Sequence, residues 1–261
     1  MGEGRALVTG AGKRLGRIMA LALARRGLDV VVHYNGSADE ARDVAAEIRA
    51  LGRRAAIVQA DLLDERSCET LIDRGTEALG GPLNVLINNA SIFEYDTIAT
   101  ATRESWDRHI GSNLRAPFVL TQRFAAQAPA AIPDENGELA AISSVVNLID
   151  QRVLKLTPEF MTYTIAKMGL WAFTRTAAQA LAPDIRVNAI GPGPTLRATR
   201  QSEAHFRAQR AATTLHRGAN AADVAAALNY LLSADAVTGQ LICVDGGQHL
   251  SWKTPDVLGP E

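Results

Sequence analysis

ALVTGAGKRLG, residues 6–16, decides the fold. A short apolar strand runs into a glycine-rich turn. Apolar residues at helical spacing then follow from Leu15 to Arg26 and stop at Gly27, a helix C-terminal signal. Strand, glycine turn and helix form the unit that cradles a dinucleotide diphosphate on a helix N-terminus. Gly10 can take a turn conformation closed to other residues. Gly16 allows close helix packing and leaves backbone N–H groups facing a phosphate. Short glycine motifs also recur by accident, so the rest of the chain has to agree.

Outward from this stretch, β-branched runs alternate with helical ones. Strands are expected at 30–33, 55–59, 85–87, 145–149, 186–190 and 241–244. Helices are expected at 38–51, 65–79, 103–127, 162–181 and 221–232. The strands lack polar alternation, as in parallel sheets buried on both faces. PDENG, residues 133–137, reads as a loop. The pattern predicts one α/β domain over residues 1–250, a doubly wound (Rossmann) parallel sheet flanked by helices. A substrate lid is expected near 195–217 and a surface tail at 251–261.

Composition narrows the function classes. Apolar residues make up 47% of the 261 positions, enough to cover both faces of a sheet. With 27 basic and 28 acidic residues, nothing argues for a nucleic-acid or membrane partner. No export signal or membrane-length apolar run is present, and Cys68 and Cys243 show no disulfide or metal spacing. The five histidines form no metal-ligand cluster. These features predict a cytoplasmic protein that acts on a small molecule without a metal.

The end of the second strand, His33-Tyr34-Asn35-Gly36-Ser37, carries no acid to grip a ribose 2′-hydroxyl. Lys13, Arg14 and the Ser37 hydroxyl suit a 2′-phosphate instead, which favours NADP(H). Asp61, after the third strand, can accept from an adenine amino group or cap the next helix. Farther along, Tyr163 and Lys167 are four apart and share a helical face. A phenol titrates near 10, and an adjacent ammonium is expected to lower that value and favour proton exchange.

TGxxxRxG (9–16), NNA (88–90), Asn113, Tyr163-x-x-x-Lys167 and GPGP (191–194) together resemble the short-chain dehydrogenase/reductase family, over about residues 4–248. The resemblance implies a tyrosine proton donor at Tyr163, Lys167 holding the nicotinamide ribose, and Asn113 fixing a relay water. It places Gly10, Leu15, Leu62, Asn89, Ala90, Ser91, Pro192, Gly193 and Thr195 along the cofactor, with Thr195 at the carboxamide. The family's serine, thirteen residues before the tyrosine, falls on Asp150; Ser144 would serve only if the connecting loop carried an insertion. Asp150, Arg14, HYNGS, NNASIF (88–93) and GSNLRAPF (111–118) resemble pteridine reductases and dihydromonapterin reductases. That subgroup implies reduction of a pterin C=N bond. Phe93 would stack on the pterin, with Arg14, Ser91, Asp150 and Tyr163 around it. A homotetramer built through the helices at 103–127 and 162–181 is also implied. A ketone, aldehyde or alcohol substrate, and a regulatory NADP-binding protein without turnover, are the alternatives. Arg152 and Lys155 have no role legible in the sequence; the basic residues of 195–217, including Arg200, read as a solvated helix face, with a lid that attracts an anionic substrate as the alternative.

Overall fold

The computed structural model describes residues 4–197 and 201–252. In chain order the elements are β1 (Gly4–Val8), α1 (Arg14–Arg25), β2 (Leu28–Tyr34), α2 (Ala38–Ala50), β3 (Ala55–Gln59), α3 (Glu65–Leu79) and β4 (Val85–Asn88). Then come α4 (Arg103–Ile110), α5 (Ala116–Ala125), a small hairpin of β5 (Ile132–Pro133) and β6 (Leu139–Ala140), and β7 (Ser143–Leu148). The chain continues through α6 (Met161–Ala180), β8 (Ile185–Pro192), α7 (Glu203–Ala211), α8 (Ala221–Ser233) and β9 (Leu241–Val244). Seven strands form one parallel sheet in the order β3-β2-β1-β4-β7-β8-β9. The order reverses between β1 and β4, which opens a crevice at the carboxyl ends of the strands.

The strands are apolar throughout because each serves two cores. Ala6, Val8, Val30, Val32, Val146 and Leu148 face Met19, Leu23 and Ile48 of α1 and α2 and Leu228 of α8. The intervening Leu7, Val31 and Val145 face Leu71 and Ile72 of α3, Phe124 of α5 and Ala177 of α6. Asn147, which interrupts the apolar run of its strand, is buried at 0% exposure and satisfied in place. Its carbonyl accepts from the Asn88 amide at 2.8 Å, and its amide donates to the Thr174 hydroxyl at 2.9 Å.

Two expectations need correcting, and one loop is seen in finer detail. The continuous helix over 103–127 is interrupted by a π-helical turn at Gly111–Arg115 and ends at Ala125. Pro117 has no N–H to give the Asn113 carbonyl, so the α-helical ladder is cut there and the turn widens. The 133–137 loop is the tip of the β5–β6 hairpin, closed by the Asp134 carboxylate accepting from Asn136 N–H and Glu138 N–H. Asp61 does not cap α3; Asp64 does, accepting from Ser67 N–H at 2.7 Å. Arg200 and the tail from residue 253 onward lie outside the described residues.

Candidate active site

The glycine turn is held from below by three side chains. Gly10 has φ +62°, and a Cβ on Gly16 would lie 2.1 Å from the Gly10 carbonyl oxygen. Both positions therefore require glycine. Asn89 donates its amide to Thr9 O at 2.8 Å, and Thr9 Oγ1 accepts from Asn89 N–H and Ala90 N–H. His33 is buried. Its Nδ1 accepts from Gly10 N–H at 3.0 Å and its Nε2 donates to Ala60 O at 3.1 Å. Burial pushes its pKa down to about 4, so the imidazole is a neutral brace for the turn.

A cavity of about 320 Å³ opens beside this turn, lined by Gly10, Asn35, Asp61, Leu62, Ala90 and Ser91 among others. Asp61 is tied to its own loop by accepting from Leu63 N–H at 3.0 Å. Ser37 presents its hydroxyl toward Gly12, 3.0 Å from where a Cβ would stand. Leu15 and Tyr34 pack against the core instead of lining this cavity. The two sequence-predicted cations part company. Lys13 pairs with Glu40 at 2.6 Å on the surface. Arg14, at φ +52°, donates to the carbonyls of Leu196 and Arg197, each at 2.8 Å.

Arg14 thereby joins a second cavity, of about 460 Å³, whose walls include Phe93, Asp150, Phe160, Pro192 and Thr195. Asp150 sits just past the carboxyl end of β7 and Tyr163 in the first turn of α6. The Tyr163 hydroxyl donates to Asp150 Oδ2 at 2.9 Å, and Asp150 Oδ1 accepts from Arg152 N–H at 2.8 Å. Ser91 also reaches the phenol through its hydroxyl. Ser144 lies at the opposite end of β7, buried and with no partner for its hydroxyl among the described residues, which removes it as the alternative to Asp150. Burial raises the Asp150 carboxyl above the ordinary carboxylate range, despite the Arg152 N–H and the phenol. Tyr163 is pushed well above the ordinary phenol value, by burial first and then by the charge and hydrogen bond of Asp150. This corrects the expectation that Lys167 lowers it. The Lys167 ammonium donates to Leu148 O at 2.7 Å and stands 5.7 Å from the phenol ring centroid. Burial brings its own pKa down to about 8.

Asn113 is fully buried and braces the loop that carries Phe93. Its amide donates to Ile92 O at 2.8 Å and its side-chain oxygen accepts from Ile92 N–H at 2.9 Å. Thr195 donates to Gly193 O at 3.1 Å. Phe93 stacks on Phe160 with centroids 4.3 Å apart and planes 13° apart, and meets Tyr163 edge-on at 4.6 Å. The part played by Phe160 is not legible in the sequence, although it stands three residues before Tyr163.

A buried chain of polar groups also escaped the sequence reading. His109 Nε2 accepts from Glu94 N–H at 3.1 Å, and its Nδ1 donates to Thr162 Oγ1 at 2.7 Å. That hydroxyl in turn donates to Asp96. The chain pins the loop after Phe93 to the start of α6. Its members are far apart in sequence, and no spacing signals it. The two cysteines are free, and burial pushes their thiols up to about 11 for Cys68 and about 12 for Cys243, which leaves them unreactive.

Known proteins similar to this chain are numerous. A family model described as Enoyl-(Acyl carrier protein) reductase matches residues 10–249. The chain belongs to the short-chain dehydrogenase/reductase family. Within that family of oxidoreductases, it is 32% identical over 250 residues to 3-oxoacyl-[acyl-carrier-protein] reductase FabG of Staphylococcus aureus, covering 94% of this chain and 98% of the relative. Among solved structures, FolM alternative dihydrofolate reductase 1 from Brucella canis, complexed with NADP, superposes with a TM-score of 0.89. It is 40% identical and covers 97% of each chain. A short-chain dehydrogenase from Burkholderia cenocepacia in complex with NADP gives 0.85 at 31% identity, covering 94% of this chain and 97% of the other.

Proposed function

We propose that the protein is an NADPH-dependent reductase that adds hydrogen across a pterin-type C=N bond. The Tyr163–Asp150 hydrogen bond carries this reading. A phenol and a carboxyl, both inclined to hold their protons, stand side by side at one cavity. A ring nitrogen that gains a proton as its neighbouring carbon gains hydride needs such a donor.

The residues fit the cofactor. The diphosphate has the glycine turn and the N-terminus of α1, where a phosphate meets backbone N–H groups. Asn35, Asp61 and Leu62 line the cavity that would take the adenosine, and a 2′-phosphate would fall to Ser37 and to Lys13, which would have to leave Glu40. Pro192, Gly193 and Thr195, on the wall of the larger cavity, would flank the nicotinamide end, and Lys167 would hold its ribose hydroxyls. When bound, NADPH supplies the hydride and leaves as NADP⁺. Phe93, itself stacked on Phe160, is the aromatic residue that would stack on the pterin. Tyr163 gives its proton to the ring nitrogen, and the Asp150 carboxylate, which accepts from the phenol, relays the next proton back to the phenolate oxygen. Asn113, whose carbonyl lacks its usual donor at Pro117, is placed to hold a water that restores the proton from solvent. One hydride and one proton enter, so the C=N bond becomes CH–NH.

The FabG relatives favour a second reading, reduction of a ketone by the same donors. Following NADPH consumption with 7,8-dihydropterins and with ketones, aldehydes and a 3-oxoacyl thioester separates the two. Turnover of pterins is expected. Turnover of carbonyl compounds alone moves the assignment, and no turnover with either panel leaves an NADP-binding protein of regulatory role. Phe118, Ile165 and Met168, exposed on α5 and α6, support assembly into a homotetramer.

A further inference from the structure

Among the described residues Arg152, at the wall of the larger cavity, forms no ion pair, although its charge is felt by Asp150 and Tyr163. Its backbone is locked, because Arg152 N–H donates to Asp150 Oδ1 at 2.8 Å. The side chain crosses over Phe160 with its guanidinium carbon 5.1 Å from the ring centroid. Phe160 stacks on Phe93 at 4.3 Å, and Phe93 meets Tyr163 at 4.6 Å. The proton donor, two rings and a cation thus form one column along the cavity.

The partners of that cation are all neutral. Nη1 donates to the Thr157 hydroxyl and to Glu159 O at 3.4 Å. Nε is buried and has no hydrogen-bond partner. Nη2 donates to none of the described residues, and none of their carboxylates lies within ion-pair distance. Arg14, on the same cavity, is engaged by two carbonyls. Asp150 already accepts from the phenol and from the Arg152 backbone. The exposed Glu159 carboxylate keeps clear of the guanidinium. A buried guanidinium N–H without an acceptor is costly, and an oxyanion is its strongest partner. An arginine flat on an aromatic face keeps its N–H edge for a planar or tetrahedral anion.

We propose that Arg152 anchors an anionic group, carboxylate or phosphate, on the side chain of a pterin whose ring lies at Phe93. The enzyme accordingly selects pterins with acidic side chains over neutral ones. This rests on the pterin reading above.

The test measures NADPH consumption with three substrates: 7,8-dihydrobiopterin (neutral side chain), 7,8-dihydrofolate (carboxylates) and 7,8-dihydroneopterin phosphate. Wild type, Arg152→Gln and Arg152→Lys are compared. The Gln variant is expected to raise KM for an anionic substrate about tenfold or more. Its kcat/KM for dihydrobiopterin should change by less than about threefold. The Lys variant should recover part of the loss, keeping the charge but not the fork. Whichever anionic substrate suffers more identifies carboxylate or phosphate as the group held. An equal loss with all three substrates, or no loss, overturns the proposal and leaves pterin reduction standing. Should Arg152→Gln not fold, Arg152→Lys must still raise KM for the anionic substrates selectively, and its failure to do so overturns the proposal. If wild type reduces none of the three, the pterin reading itself falls and takes the proposal with it.

Discussion

Acidification should loosen the glycine turn through one imidazole. His33 fixes that turn twice, through Nδ1 to Gly10 N–H and through its own carbonyl, which accepts from Ala11 N–H at 2.8 Å. Protonating Nδ1 would set two donors against each other. Burial lowers the pKa from 6.5 to about 4, with the charge of Arg74 adding and the Ala60 bond and Asp61 opposing. The unfolded chain therefore takes up this proton first as pH falls. The contribution of the neutral ring is full above 6.5 and is lost as pH drops toward 4. Integrated from about pH 7 to about pH 4.5, the loss is about 2.5 kcal/mol. Urea unfolding of wild type and His33→Asn at both pH values measures it. Carboxylates titrate equally in both proteins, so the difference between the two drops isolates the imidazole. Wild type should lose about 2.5 kcal/mol more than the variant. Equal drops would refute the role given to His33.

The remaining outcomes follow from single contacts. Asp150→Asn should keep NADPH affinity, read by cofactor fluorescence, while kcat falls at least about a hundredfold; unchanged turnover would take the carboxyl out of the chemistry. Gly16→Ala drives a methyl to 2.1 Å from Gly10 O, so NADPH binding should be lost even where circular dichroism shows the helices retained. A wild-type Kd would contradict the close approach. Asn147→Leu strands the Asn88 amide and the Thr174 hydroxyl in a dry sheet centre and should cost about 1–3 kcal/mol in urea unfolding. A cost near zero would mean the buried ladder is not satisfied through Asn147.

Periodicity makes elements legible because burial on two sheet faces leaves a continuous apolar run, and all six sheet strands beyond ALVT lie where such runs predict them. The interrupted helix shows where that signal stops. Helical spacing continues across Gly111–Arg115, and only the missing N–H of Pro117, a backbone property, widens the turn. Asp150 was legible because its distance from Tyr163 along the chain is fixed by one strand end and one helix start. Which of its two expected places Arg14 takes, the 2′-phosphate or the substrate cavity, was not legible, for the opposite reason. Its side chain chooses between a turn it belongs to and a segment more than 180 residues away, and local sequence carries no trace of that choice. The His109–Thr162–Asp96 chain is likewise a product of packing α4 against α6.

The phenol's protonation state links the site to the direction of reaction. Sequence reasoning sets an ammonium against Tyr163 and expects an easily lost proton. In the folded protein burial and a carboxylate at 2.9 Å act the other way, and the phenol keeps its proton at neutral pH. Reduction needs that state, since the phenol must give a proton, whereas alcohol oxidation begins from the phenolate. Replacing Asp150 by the serine usual in the family should therefore lower the phenol pKa. Reductive kcat/KM falls as pH rises through that pKa, so its alkaline limb should move to lower pH in Asp150→Ser, and the variant should gain in the oxidative direction relative to wild type. An alkaline limb that stays in place would mean that the carboxylate does not hold the phenol protonated, and that the preference for reduction has another source.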